Sequence, residues 1–108
     1  MSMYSNYVFE TRGVRAIEAE NGFVTYRILG PECYIEDIYI EPDFRKSGLG
    51  SELANKVRAA AKDFGCTCLT GTVNTLIKNP TASTKALLAY GFEIVGASTN
   101  VILFKMEI

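Results

Sequence analysis

A glycine-containing segment between an apolar stretch and an amphipathic stretch is the feature that most restricts the fold of this chain. The segment reads Arg45-Lys46-Ser47-Gly48-Leu49-Gly50; Cys33 to Glu41 before it is predicted to be a strand, and Leu49 to Phe64 after it has helical apolar spacing. A loop at such a junction directs free backbone N–H groups and the positive end of the helix dipole toward one point, which suits an anion. Because Gly48 and Gly50 lack a Cβ, a phosphate group can approach the backbone closely. The segment therefore predicts a pyrophosphate-binding loop.

Two better-known phosphate loops do not fit this segment. The dinucleotide fingerprint G-x-G-x-x-G fails because Leu53 stands where its third glycine belongs. The P-loop fails because no Gly-Lys-Ser/Thr follows a four-residue gap. What remains is the pattern Arg-x-x-Gly-x-Gly, which begins at Arg45.

This pattern resembles the signature of the GNAT (GCN5-related N-acetyltransferase) superfamily, in which Gln/Arg-x-x-Gly-x-Gly/Ala follows a central strand and binds the pyrophosphate of coenzyme A. The stretch from Ile38 to Arg45 resembles the strand of that family and its Pro-x-x-Arg exit. Asn79 and Ser83, followed by Ala89-Tyr90-Gly91-Phe92, resemble its second helix and Gly-Phe ending. The resemblance runs from about Phe23 to the C-terminus and indicates a compact form of the family.

The resemblance implies acetyl-CoA as co-substrate, no metal, and a set of binding residues. In the family, backbone groups of the central strand bind the pantetheine arm, and here these would belong to Ile38, Tyr39 and Ile40. The pyrophosphate would lie against the loop and the start of the helix, which comprise Arg45, Lys46, Ser47, Gly48, Leu49, Gly50 and Ser51. Asn79 and Ser83 are predicted to bind the cofactor as well. Ser83, Thr84 and Lys85 would contact its nucleotide end, and the alternative is that they form a solvated face.

Acetyl transfer requires a group that takes the proton of the amine, donors for the oxyanion, and a proton for the departing thiolate. Glu36 and Asp37 are the candidate bases, because burial in a strand that is apolar on both faces raises a carboxyl pKa. Alternation along a strand sends the two side chains to opposite faces, so at most one would line the acceptor site. The alternative is that both are solvated or salt-bridged.

The proton donor is harder to assign from the sequence. Many relatives have a tyrosine four residues before the glycine of Gly-Phe, and Leu87 stands at that position here. Tyr90 is the candidate substitute, since it lies on a nearby helical face. The alternative for Tyr90 is a structural tyrosine packed at the edge of the sheet.

The apolar periodicity predicts one α/β domain over residues 1–108, with a mixed, partly antiparallel central sheet and two helices. A β-α-β crossover connects Cys33 to Glu41 with a parallel strand after the first helix. The second helix begins at Asn79-Pro80 and ends at Gly91, and Gly65 caps the first. The other predicted strands are Tyr7 to Thr11, Val14 to Glu20, Phe23 to Leu29, Cys66 to Val73, Phe92 to Val95 and Val101 to Glu107.

Two expectations concern the N-terminal region. Asn21-Gly22 predicts a type I′ hairpin turn. The stretch between Tyr7 and Phe23 has no room for the two helices that usually follow the first strand of the family. Their absence would leave an apolar sheet face open on the acceptor side, and we therefore expect a homodimer.

Composition narrows the class of protein. With 48% hydrophobic and 11% aromatic residues, a chain of 108 residues can bury one core. The net charge of −1 and the lack of a long basic run give no electrostatic argument for nucleic acid or an anionic membrane. No apolar stretch approaches a membrane span and no signal peptide is evident, so a cytoplasmic location is expected.

Three cysteines and no histidine favour reduced thiols over a disulfide framework or a zinc site. Cys66 and Cys68 are predicted to share one face of a strand as small buried side chains. Cys33 lacks a histidine that could activate it as an acyl-accepting nucleophile.

These observations predict an acetyl-CoA-dependent N-acetyltransferase that acts on a primary amine. The acceptor could equally be a small molecule, a peptide N-terminus or a lysine side chain. A catalytically silent CoA-binding or regulatory module is the alternative, favoured by Leu87 and the missing helices. A third possibility is a protein-interaction domain that only retains the fold.

Overall fold

A computed structural model describes residues 2–76 and 80–108 of the chain. This part of the chain contains three α-helices and six strands, each type numbered in chain order. They are α1 Met3–Arg12, β1 Arg15–Ala19, β2 Gly22–Leu29, β3 Glu32–Ile40, a short 3₁₀ turn Pro42–Phe44, α2 Leu49–Asp63, β4 Cys68–Asn74, α3 Pro80–Tyr90, β5 Glu93–Ser98 and β6 Val101–Glu107.

The strands form one mixed sheet in the order β1-β2-β3-β4-β6-β5. β3 and β4 are parallel, and the other neighbouring pairs are antiparallel. Helix α2 connects the two parallel strands, so the predicted β-α-β crossover and the mixed α/β fold are confirmed.

The core lies between the sheet and α2. Leu53, Val57 and Ala61 recur every four residues along α2 and are fully buried, as expected for the inner face of an amphipathic helix. Gly65 follows the helix at φ +84° and donates its N–H to Lys62, which confirms the predicted left-handed cap. The sheet contributes Val24, Tyr26, Cys33, Ile35, Leu69, Val73 and Phe104 to the same cluster.

The N-terminal region is a helix where the sequence analysis predicts a strand. Tyr7 to Thr11 lie within α1, so the expectations of only two helices and of no N-terminal helix are both wrong. The Ser2 hydroxyl accepts the N–H of Ser5 at 3.0 Å, and Gly13 ends the helix at φ 66° with its N–H on Phe9. These two caps satisfy end groups of the helix and outweigh the strand preference of its aromatic and β-branched residues.

The first hairpin is present, but its turn differs from the predicted one. Ala19 pairs with Gly22, so the two-residue loop consists of Glu20 and Asn21. Neither Asn21 nor Gly22 has a positive φ, which a type I′ turn at these residues requires. Gly22 is instead needed for close approach, because a Cβ added there would lie 2.5 Å from the carbonyl oxygen of Tyr39.

A β-bulge in β3 changes the face assignment of the two candidate carboxylates. Thr25 pairs with Asp37 and Tyr26 pairs with Ile35, so Glu36 is an extra residue on β3. Asp37 therefore lies on the face of Thr25, and the Glu36 carboxylate contacts Arg27, which alternation in β2 places on that same face. The prediction that Glu36 and Asp37 point to opposite faces is wrong, because the bulge breaks the alternation.

Within the described residues, no helix has both the length and the apolar character needed to span a bilayer.

Candidate functional site

The parallel strands β3 and β4 separate halfway along their length. Their register runs from Glu32 opposite Cys68 to Ile35 opposite Gly71, and the remainder of β3 has no registered partner among the described residues of β4. The bulge at Glu36 lies where the separation begins. Ile38, Tyr39 and Ile40 stay paired with β2 on their other side. The backbone groups of this segment that point away from β2 therefore face an opening in the sheet, where a ligand amide can pair with them.

The glycine loop meets this opening at the start of α2. Gly48 has φ +90° and is the N-cap of the helix, without a side-chain hydrogen bond to cap it. A Cβ added to Gly48 would meet no atom within 4 Å, so the space in front of the helix is open. The N–H groups of Leu49, Gly50 and Ser51 in the first turn have no acceptor within the helix. The loop thus has the geometry of an anion site at a helix N-terminus.

The other predicted loop residues surround this helix start. Lys46 and Ser47 are exposed, Lys46 has φ 63°, and the Ser47 hydroxyl donates to the carbonyl of Phe44. Leu49 and Gly50 are half-buried, and Leu49 packs against the core cluster. A Cβ added to Gly50 would contact Ile40 at 3.7 Å, so the first turn of α2 lies directly against the end of β3.

Arg45 links the loop to the strand. Its Nε donates to the carbonyl oxygen of Ile40 at 2.9 Å, and its guanidinium carbon lies 6.0 Å from the centre of the Tyr39 ring. The resemblance to the family implies only that Arg45 lies next to the pyrophosphate. In the structure it also fixes the end of the open strand relative to the loop.

Some of the predicted site residues on or next to α3 lie within the described part of the chain. Asn79 lies outside the described residues, and Ser83 is half-buried in the first half of α3. The Tyr90 hydroxyl donates to Oδ1 of Asn55 on α2 at 2.6 Å, and its ring centre lies 6.0 Å from that of Phe92. Leu87 packs against the core cluster. Tyr90 therefore ties α3 to α2.

The candidate bases lie on the face of the sheet opposite α2. Arg27 Nε is 3.3 Å from Oε2 of Glu36, an ion pair whose geometry falls outside that of a hydrogen bond. A second nitrogen of Arg27 donates to the carbonyl of Arg12 at the end of α1, at 2.9 Å. Asp37 is exposed, whereas its cross-strand partner Thr25 is 1% exposed and its hydroxyl has no hydrogen-bond partner among the described residues.

Sequence reasoning missed Thr25 and Arg27 at this site. Their contacts with Glu36 and Asp37 depend on the register at the bulge, which the sequence does not show directly. The signal in the sequence that could have indicated the bulge is the pair of acidic residues, Glu36 and Asp37, within an apolar strand.

The three cysteines are free and buried, as predicted. Burial raises the pKa of Cys33 to about 12, and burial also raises the pKa of Cys66, so both remain thiols at neutral pH. Cys66 precedes β4, which begins at Cys68, so the prediction that the strand includes Cys66 is wrong. In the described ranges, no group of three or more His, Cys, Asp or Glu side chains is arranged to hold a metal ion.

Comparison with known proteins gives a family match and shorter matches to individual enzymes. A family model described as "Acetyltransferase (GNAT) family" matches residues 11–92. The chain is 45% identical over 40 residues to a thialysine N-epsilon-acetyltransferase of Bos taurus, covering 37% of this chain and 24% of that protein. It is 47% identical over 36 residues to an aminoglycoside N(6')-acetyltransferase type 1 of Acinetobacter genomosp. 13, covering 33% and 25% respectively. The matched segments thus span about a quarter of these relatives.

A solved structure resembles the chain over nearly its whole length. It is a GNAT family acetyltransferase from Elizabethkingia anophelis with acetyl-CoA bound, with a TM-score of 0.74 and 17% sequence identity. The superposition covers 99% of this chain and 84% of the other. At this identity the likeness shows a shared fold.

Proposed function

We propose that this chain, which belongs to the GNAT family of acetyltransferases, transfers an acetyl group from acetyl-CoA to a primary amine. The observation that carries the proposal is the joint placement of an open strand edge and an uncapped helix N-terminus. Ile38 to Ile40 and the loop around Gly48 lie at the same end of the sheet, linked by Arg45. One elongated ligand with amide groups at one end and phosphates at the other matches both surfaces.

Acetyl-CoA supplies the activated thioester, and the residues of the chain would bind and orient it. The free N–H groups at the start of α2 and the positive end of the helix dipole favour the pyrophosphate. Lys46, exposed in the loop, adds positive charge nearby. The outward N–H groups of the open segment of β3 are suited to pairing with the pantetheine amides and to polarising the thioester carbonyl.

The transfer forms a C–N bond and breaks the C–S bond. The amine nitrogen attacks the carbonyl carbon, the amine loses a proton, and the thiolate that leaves gains one. Asp37 is the better candidate to accept the proton of the amine, because it is exposed on the face opposite α2 while Glu36 is held by Arg27. Tyr90 is the candidate proton donor to the thiolate. Its hydroxyl would first have to break its hydrogen bond to Oδ1 of Asn55.

The acceptor is proposed only as a class. The names of the two curated relatives describe acetylation of thialysine and of an aminoglycoside, both of which carry primary amines. Since the matched segments span about a quarter of those proteins, the amine itself is not carried over to this chain. A small amine, a peptide N-terminus and a lysine side chain all have the required nitrogen.

A homodimer and a cytoplasmic location are further parts of the proposal. Exposed apolar side chains on β5 and β6 support association, among them Val95, which is 57% exposed, and Leu103, which is 41% exposed. Three free buried cysteines are consistent with a reducing compartment.

A catalytically silent CoA-binding module is the second candidate function. Two observations favour it, namely Leu87 at the usual position of the acid and the engagement of the Tyr90 hydroxyl by Asn55.

One pair of measurements separates these candidates. Melting temperature is recorded with and without acetyl-CoA, and release of free CoA thiol is then followed with a panel of primary amines. We expect a raised melting temperature and CoA release with at least one amine. A melting shift without release for any amine would establish the silent module, and an unshifted melt of folded protein at millimolar acetyl-CoA would refute both.

A further inference from the structure

A second concave surface lies on the α1 side of the sheet. We call it the aromatic cleft; its volume is about 350 Å³, and it is lined by Tyr4, Glu18, Gly22, Phe23, Tyr39 and Glu41. Glu18 pairs with Phe23, and Phe23 pairs with Tyr39, so these three form one row across β1, β2 and β3. Side chains in one row share a face of the sheet. Tyr4 of α1 closes one side of the row.

Three aromatic rings form one wall of the cleft. The ring centres of Tyr4 and Phe23 are 5.5 Å apart at 77°, and those of Phe23 and Tyr39 are 5.8 Å apart. Tyr4 and Tyr39 remain 39% and 47% exposed, so their rings are accessible to a ligand. Aromatic faces attract cations, and the guanidinium of Arg45 already lies near the Tyr39 ring.

Two carboxylates give the cleft its charge. Among the described residues of the lining, Glu18 and Glu41 are the charged ones, and the guanidinium carbon of Arg45 lies 6.0 Å from the ring centre of Tyr39. The hydroxyls of Ser2 and Ser5 donate to Glu18 and lower its pKa, which keeps the carboxylate ionised at neutral pH. Such a surface repels an anion, and an uncharged hydrocarbon would make no favourable contact with its carboxylates. It favours an alkylammonium group.

The candidate base, Asp37, lies outside the lining of the cleft but on the same strand as Tyr39. Asp37 lies two residues before Tyr39 on β3, on the same face, at about 6–7 Å along the strand. A chain of four or five carbons spans that distance.

We propose that the aromatic cleft holds a second cationic group of the acceptor while the reacting amine lies beside Asp37. The acceptor class is therefore an amine with two basic nitrogens about 6–7 Å apart in space, the distance that four or five carbons span in a free diamine. This inference rests on the proposed acetyl transfer. The two nitrogens can belong to one free diamine or to neighbouring basic side chains of a peptide.

A matched pair of acceptors tests the inference by kinetics. The kcat/KM for 1,5-diaminopentane is compared with that for 5-amino-1-pentanol, which has the same length and no second charge. We expect the diamine to be preferred by about 3–30-fold, the size of one cation contact with an aromatic ring or carboxylate. Glu41→Gln and Tyr4→Leu should each reduce this ratio. Glu93→Gln, which changes an exposed carboxylate on β5, should leave the ratio unchanged.

Equal kcat/KM values for the two acceptors, or a preference that survives both cleft variants, would overturn the inference and leave acetyl transfer standing. A dilysine peptide with blocked ends forms the second arm, and the acceptor with the higher kcat/KM identifies the source of the two nitrogens.

Binding is also measured without turnover, from the aromatic NMR signals of Tyr4 and Phe23. We expect these signals to shift with 1,5-diaminopentane and not with 1-pentanol. If no amine is acetylated and the diamine still shifts the signals, the proposed function fails while the cation site in the cleft is supported. If amines are acetylated and the signals respond equally to pentanol, only the cleft assignment fails.

Discussion

Replacing Gly48 by valine is the sharpest test of the glycine loop, because the substitution has two effects that can be measured separately. The first is strain in the protein without ligand. Gly48 has φ +90°, and a residue with a Cβ pays roughly 1–2 kcal/mol in the left-handed region. For a domain of this size we expect a melting temperature lower by about 4–16 °C.

The second effect is on acetyl-CoA binding. At 100 times its dissociation constant, a ligand stabilises the wild-type protein by about 2.7 kcal/mol, which corresponds to a shift of about 11–22 °C. The valine methyl groups would enter the space in front of α2, where an added Cβ meets no protein atom within 4 Å. If affinity falls 100-fold, the same ligand concentration gives about 0.4 kcal/mol, or about 2–3 °C. Lys46→Ala should reduce the shift without abolishing it.

Gly65→Val is the matched control for strain. Gly65 has φ +84°, and a Cβ added there would likewise meet no atom within 4 Å, but it lies past the other end of α2. Both variants should lose similar stability, and only Gly48→Val should lose the acetyl-CoA shift. Differential scanning fluorimetry with and without acetyl-CoA measures both quantities. An undiminished shift in Gly48→Val would refute the assignment of the loop to the phosphates.

Three further predictions concern catalysis, pH and assembly. Asp37→Asn should lower kcat by about 10²–10⁴-fold and leave the acetyl-CoA melting shift unchanged. Glu36→Gln should mainly disturb the partly exposed ion pair with Arg27. Full activity in both variants and in Tyr90→Phe would mean that proximity alone drives the transfer. Because serine hydroxyls hold the pKa of Glu18 below its ordinary 4.5 in the folded state, its contribution to stability is present above that value and is lost as the pH falls through the lowered pKa. The melting-temperature difference between wild type and Glu18→Gln should therefore be largest at neutral pH and shrink as the pH falls below 4.5, and a difference that stays constant through the acid range contradicts this. Sedimentation should show a dimer at micromolar concentration, and a stable monomer would refute that expectation.

The central half of the fold could be predicted because its signals are local. The apolar run of β3, the four-residue spacing along α2 and the glycine at position 65 each act within one element and its immediate neighbours. A parallel pair joined by a helix then follows from the handedness and length of the connection. The proximity of the predicted loop residues from Lys46 to Ser51 is also a local property, because they are consecutive in the sequence.

The remaining features depend on competition between signals or on distant partners. In α1, two helix caps outweigh residues that prefer strands, and a reading based on apolar and aromatic residues alone favours the wrong element. The bulge at Glu36 arises from the register between two strands, and no alternation pattern in β3 alone reveals it. The bond between Tyr90 and Asn55 joins residues 35 positions apart, on helices whose packing the sequence does not specify.

The separation of β3 from β4 has a consequence for solubility. Unpaired backbone groups in the middle of a sheet resemble an exposed edge strand, to which a strand of another molecule can add and start aggregation. Bulges and charged side chains are the usual means by which proteins discourage such addition, and β3 has both at the point of separation, the bulge at Glu36 and the charge of Asp37 beside it. The acidic pair therefore protects the open edge whether or not either carboxylate takes part in catalysis. Neutralising both should make the protein without ligand prone to self-association, and a bound ligand that fills the gap should reverse it.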